Sequence, residues 1–296
     1  MEFETRFRMA ELRVCLHTPR PLGVEEFFLP YLDAGDGPAV HCRFLPDAAA
    51  CKRPEAGRLF FADPMQEIFW TPRGAEHCFY MPLHGVPPPD AWQRPPDAWQ
   101  RLGEGEPELR FRPEAGFYFA TACGCFNALK IERLLIGARR AILHASFVEW
   151  QGRGIAFTAP SGTGKSTQAA LWEKYAGAET VNGDRMAFGL RGERLWGFGI
   201  PIAGSSQIFR NRALPLGAVV LLEQGPENLV FRESPARALP FLLSQTTVNR
   251  WDGAFMDGVM DLLEALLGQV PVFRLRCRPD AGAVSCLRAA LEAEAP

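Results

Sequence analysis

The sequence has no apolar run near the ~18 residues a membrane-spanning helix needs. Its first residues, MEFETRFRMAEL, are charged throughout and lack the apolar centre of a signal peptide. The expectation is a cytoplasmic protein with no membrane partner. An excess of charge of either sign is missing too: 32 Lys and Arg face 34 Asp and Glu, for a formal net charge of −2. No net field then draws in nucleic acid, which is not expected as a partner. Paired C-x2-C spacing is also absent. His41-Cys42, His77-Cys78 and Cys123-Gly124-Cys125 could line a zinc site, but without that pairing the thiols read as free, small apolar groups. Disulfides are not expected in a reducing compartment, and a chain of this size does not need them.

At 296 residues the chain can bury a large core, as two domains or one large α/β domain. Up to about residue 115 it reads as strands (12–17, 39–45, 57–62, 67–71, 77–83 and 108–113) punctuated by Pro and Gly. A helix around VEEFFLPYL would be interrupted by Pro30. The heptad PPDAWQR occurs twice in succession, at 88–94 and 95–101. Seven inserted residues would shift the register of a packed strand, so the repeat is expected on an exposed, Pro-stiffened loop spanning 87–105. From about residue 116 helix and strand alternate, which predicts an α/β domain: a mixed sheet with flanking helices, preceded by the β-rich N-terminal region. Helices are expected over 126–140, 165–175, 235–247, 255–267 and after Pro279. Strands are expected over 141–150, 154–159, 179–184, 217–224, 228–234 and 271–277, with a hairpin at 185–198.

The run APSGTGKST, Ala159–Thr167, sits between a strand and a helix. This is the context in which a Gly-rich turn points backbone N–H groups at phosphate oxygens. Ser161, Gly162, Thr163, Gly164, Lys165, Ser166 and Thr167 form the expected nucleotide cradle, with Lys165 reaching the β- and γ-phosphates of ATP and Ser166 ligating Mg²⁺. Ala159 stands where the usual pattern has Gly, a change of one methyl in a turn whose entry Pro160 already fixes. Asp184, closing the next strand, suits a second Mg²⁺ ligand and the base for an incoming hydroxyl; capping a turn is the structural alternative. His144 alternates with Ile142, Ser146 and Val148 along its strand, a pattern that also fits a core histidine. In the segment 197–207, Ser205 and Ser206 lie among small residues that let a substrate approach. Arg210 and Arg212 beyond them form a cationic rim suited to a transferring phosphate, or merely solvated arginines on a connection.

The run from Leu143 through Arg185, with SGTGKST at its centre, resembles the catalytic core of HPr kinase/phosphorylase and the wider PEP carboxykinase-like P-loop superfamily. The resemblance is close over about 141–190; residues 1–115 lie outside it. It implies an HPr kinase/PEP carboxykinase-like core that phosphorylates a Ser or Thr hydroxyl of a peptide or small protein, and assembly into a homo-oligomer. It also implies that Lys165 is the phosphate lysine, Ser166 a metal ligand and His144 a catalytic histidine beside the phosphates. The family carries two adjacent Asp where this chain reads Asn182-Gly183-Asp184-Arg185. A PEP carboxykinase-like small-molecule phosphotransferase and a non-catalytic ATP-binding partner protein are the alternatives.

Overall fold

The computed structural model describes residues 2–81, 94–103, 105–202 and 204–294, without the side chain of Ser205. The chain divides into two compact units, Met1–Ile131 and Glu132–Pro296. It is a mixed α/β protein with two large mixed sheets and flanking helices. Among the described residues no helix is long and apolar enough to cross a membrane.

The first unit is built on β1 (Phe3–Met9), β2 (Leu12–Thr18), β3 (Val40–Pro46), β4 (Arg58–Asp63), β5 (Gln66–Thr71), β6 (Gly74–Phe79), β7 (Ala98–Leu102) and β8 (Glu108–Phe111). They lie in the order β1-β2-β3-β8-β7-β6-β5-β4, with β2–β3 and β3–β8 parallel. Aromatic rings fill the core, among them a cluster of Phe7, Phe28 and Phe126 with centroids 5.2–5.8 Å apart. The segment around Pro30 is a short 3-10 turn, Glu26–Tyr31, because proline cannot donate to a continuing helix.

The heptad repeat is not confined to an exposed loop. The second copy supplies β7, where Ala98 and Gln100 are buried between β6 and β8; the first copy lies outside the described residues except Arg94. Period-2 alternation within AWQRL turns Ala98, Gln100 and Leu102 to the core. Trp99 donates from Nε1 to Glu76 at 3.0 Å.

The expected helix over 126–140 is two, α1 (Ala122–Ala128) and α2 (Ile131–Gly137). Thr121 caps α1, its hydroxyl accepting from the Gly124 amide, and the backbone leaves helical angles at Leu129. In the second unit follow β9 (Arg140–Trp150), β10 (Arg153–Thr158), α3 (Lys165–Ala176), β11 (Glu179–Asn182), β12 (Arg185–Arg191), β13 (Arg194–Gly199), β14 (Ala213–Gln224), β15 (Leu229–Arg232), α4 (Pro235–Gln245), α5 (Gly253–Gln269), β16 (Val272–Cys277) and α6 (Ala281–Ala293). Long strands β9 and β14 tie the sheet together. The first half of β9 pairs β12, and its second half pairs β10 and β11. β14 pairs β13 at its start and then runs parallel to β10 and β16. Trp172 of α3, fully buried, packs its ring on Trp150 and Phe157. That contact fixes α3 against the sheet; truncating such a ring to Ala costs about 3–5 kcal/mol.

Candidate functional site

The Gly-rich loop leaves β10 at Thr158 and feeds α3 at Lys165. Gly162 (φ 79°) and Gly164 (φ 114°) take left-handed angles that favour glycine. Among the described residues, no atom beyond its chain neighbours lies within 4 Å of where a Cβ on Gly162 would sit, so the turn is open on that side. Ser161 and Ser166 are exposed, as are Gly162 and Thr167, while Lys165 is buried. Its Nζ donates to the carbonyls of Ala159 (2.9 Å) and Pro160 (3.3 Å), so the ammonium is folded back over the loop. Burial lowers the Lys165 pKa, and the Asp184 carboxylate acts in the opposite direction.

Strand β11 ends at Asn182, two residues earlier than the expected span of 179–184, and Gly183-Asp184 form the turn into β12. Asn182 makes that turn. Its buried Oδ1 accepts from the amides of Asp184 (3.1 Å) and Arg185 (3.0 Å), and its Nδ2 donates to the Ile200 carbonyl at 2.7 Å. The Gly183 carbonyl in turn accepts from Ser146 Oγ at 2.9 Å and from Ser166 Oγ at 3.4 Å. The hydroxyl at the start of α3 therefore touches the turn that carries the carboxylate. Across the strand pair, His144 Nε2 lies 3.5 Å from Asp184 Oδ1, and Arg185 Nε 3.6 Å from Oδ2. Burial, then the nearby Lys165 charge, lowers the His144 pKa, which favours the neutral ring.

Lys165, Ser166, Asp184 and His144 thus converge at one end of the sheet. Beside them a cleft of about 500 Å³ runs past Gly162, Gly164, Thr167 and Gln168 to Gln224 and Arg278. Among solved structures the chain is similar to the HPr(Ser) kinase/phosphatase from Coxiella burnetii. Identity is 16% over 52% of this chain and 99% of that one, with a TM-score of 0.31. No family model matches, and no curated protein does. A likeness at that TM-score carries no functional weight, and the chemistry of the site rests on its own residues.

Ser206 sits against the turn: a Cβ on Gly183 would fall 1.9 Å from its Oγ. The side chain of Ser205 lies outside the described residues. Arg210 and Arg212 do not converge with the others. Arg210 bonds the Thr180 carbonyl and pairs with Glu179, and Arg212 pairs with Glu149 (2.6 Å) and Glu179, at the far end of β11 from Asp184. Asn182 and Ser146 position the turn without having stood out in the sequence. A buried Asn two residues before an Asp reads as ordinary turn chemistry until its hydrogen bonds are seen.

Proposed function

We propose that this chain binds ATP with Mg²⁺ at Ala159–Thr167 and transfers the terminal phosphoryl group to a Ser or Thr hydroxyl of a peptide or small protein. The observation that carries the reading is the contact between α3 and the Gly183-Asp184 turn, which sets Ser166 against the turn that bears the Asp184 carboxylate. The residues fit the ligand. An open Gly-rich turn offers backbone donors at a helix N-terminus. Among the described residues the Lys165 ammonium bonds two carbonyls, from which it can swing to a phosphate. Ser166 and Asp184 supply oxygen ligands suited to Mg²⁺. The metal's contribution is to neutralise charge on the phosphates. Asp184 accepts the acceptor hydroxyl's proton, and its turn is held by Asn182 so that little reorganisation is needed. His144, whose burial favours the neutral ring, stands 3.5 Å from Asp184 Oδ1, placed to orient it.

One observation favours a second reading, a nucleotide-binding partner that performs no transfer. Gly183 offers no second carboxylate, and Ser206 fills the space where one would project. Single-turnover transfer from labelled ATP to a peptide pool, measured beside ATP affinity, separates the two. For the enzyme, Asp184→Asn lowers transfer by about 10²-fold or more while ATP still binds. Wild-type transfer that survives Asp184→Asn removes the role given to Asp184, and binding without transfer in either form selects the partner protein.

A further inference from the structure

The register of the first unit assembles a second constellation of ligand atoms, from residues far apart in sequence. Cys15 and His17 are two residues apart on β2 and so share a face. On parallel β3, His41 is the register partner of Cys15, which brings its ring onto the same face. One ligand atom from each lies within 4.8 Å of the other two. His17 Nε2 faces His41 Nδ1 at 2.7 Å. Cys15 is fully buried, His17 is 5% exposed and His41 is half-buried, so the cluster is enclosed yet reachable from one side.

We propose that Cys15, His17 and His41 bind one zinc-class transition-metal ion. One thiolate and two imidazoles form a borderline-soft set that selects such a metal over Mg²⁺ or Ca²⁺, which prefer oxygen. An ion about 2.0–2.1 Å from both nitrogens sets them about 3.3 Å apart. The facing rings then need to open by only about 0.6 Å from their 2.7 Å separation. The other nitrogen of His17 supplies an independent indication. His17 Nδ1 is buried with no hydrogen-bond partner among the described residues, and two carboxylates flank it, Glu4 of β1 at 3.7 Å and Glu2, just ahead of that strand, at 3.8 Å. A ring whose Nε2 holds a metal carries its proton on Nδ1, and carboxylates beside that N–H fix the tautomer. On binding, the Cys15 thiol gives its proton to solvent, and water completes the fourth position.

The test is titration of the metal-stripped full-length protein with Zn²⁺ against a chromophoric chelator, and with Co²⁺ followed by absorption. The expected result is one equivalent of Zn²⁺ and, with Co²⁺, a thiolate-to-metal charge-transfer band that an oxygen-only site at Ser166 and Asp184 cannot produce. Cys15→Ser should abolish that band, and both it and His41→Gln should weaken Zn²⁺ binding by about tenfold or more. Cys42→Ser, whose sulfur points to the opposite face of β3, should leave both readouts unchanged. Absence of stoichiometric binding by the folded wild type overturns the proposal. Binding that survives His41→Gln, a change at a half-buried position, also overturns it, even if Cys15→Ser does not fold.

Discussion

Replacing Gly183 by Ala adds one methyl at the tightest point beside the Asp184 turn. The new Cβ would stand 1.9 Å from Ser206 Oγ and 2.6 Å from its Cβ, against a van der Waals contact of 3.4 Å or more, while Ile208 Cβ at 3.9 Å is not compressed. The backbone at 183 is not left-handed, so strain from a β-carbon there is steric and not conformational. Overpacking of this kind costs about 1–3 kcal/mol. In a domain of this size each kcal/mol moves the melting temperature by about 2–4 °C, giving a loss of about 2–12 °C. The clash is with one residue, so a double-mutant cycle isolates it. Combined with Ser206→Gly, Gly183→Ala should cost almost nothing, with a coupling energy of at least about 0.5 kcal/mol. Thermal and chemical denaturation of the four proteins supply the numbers. A single mutant as stable as wild type, or a loss that Ser206→Gly does not relieve, would refute the placement of Ser206 against this turn. It would also remove the steric reason that a second carboxylate does not fit at 183.

Lys165→Ala should weaken ATP binding by about 10- to 100-fold, the worth of a hydrogen bond to a charged group, as read by calorimetry; unchanged affinity removes the phosphate role. His77, 1% exposed, has its pKa lowered to about 3, first by burial and then by the Lys130 charge. Its Nδ1 accepts from Gln100 at 2.8 Å, which requires the neutral ring. The unfolded chain therefore takes up a proton near pH 6.5 that the folded one refuses until about pH 3. Stability should fall as pH drops below about 6.5, by about 2 kcal/mol at pH 5, and His77→Gln should flatten that slope in pH-dependent denaturation. Deleting residues 95–101 yields the same polypeptide as deleting 88–94, so one heptad remains to fill β7. The change removes the bonds of Arg94 to Asp97 and Met81 and should cost under about 2 kcal/mol, whereas a collapse of the melting transition would show that both copies are packed.

What could be read from the sequence were features with local causes. The Gly-rich loop Ala159–Thr167 was legible because two closely spaced glycines between a strand and a helix call for a tight turn, and the structure has Gly162 and Gly164 at positive φ there. Helices α5 and α6 fall close to their expected spans, and the structure shows Asp252 and Asp280 capping them, their carboxylates accepting from the amides three residues on. Local signals also misled. FNALKIERLLIGARR is apolar at helical spacing throughout, yet the chain turns at Leu129.

Long-range pairing decided the rest. Two identical heptads cannot be told apart by their own residues. The second forms β7, where Leu102, just after it, buries its side chain opposite Ala75. After Arg94 come Pro95 and Pro96, which have no N–H to give a neighbouring strand. In the same way, nothing near Arg210 and Arg212 foretold Glu149 and Glu179 as their partners, and only the pairing of β2 with β3 sets His41 beside Cys15. The sequence by itself determined where backbone conformation is forced, through glycine, proline and capping side chains acting on their neighbours. Tertiary structure alone decided which side chains meet, because strand register joins residues whose separation along the chain carries no signal of it.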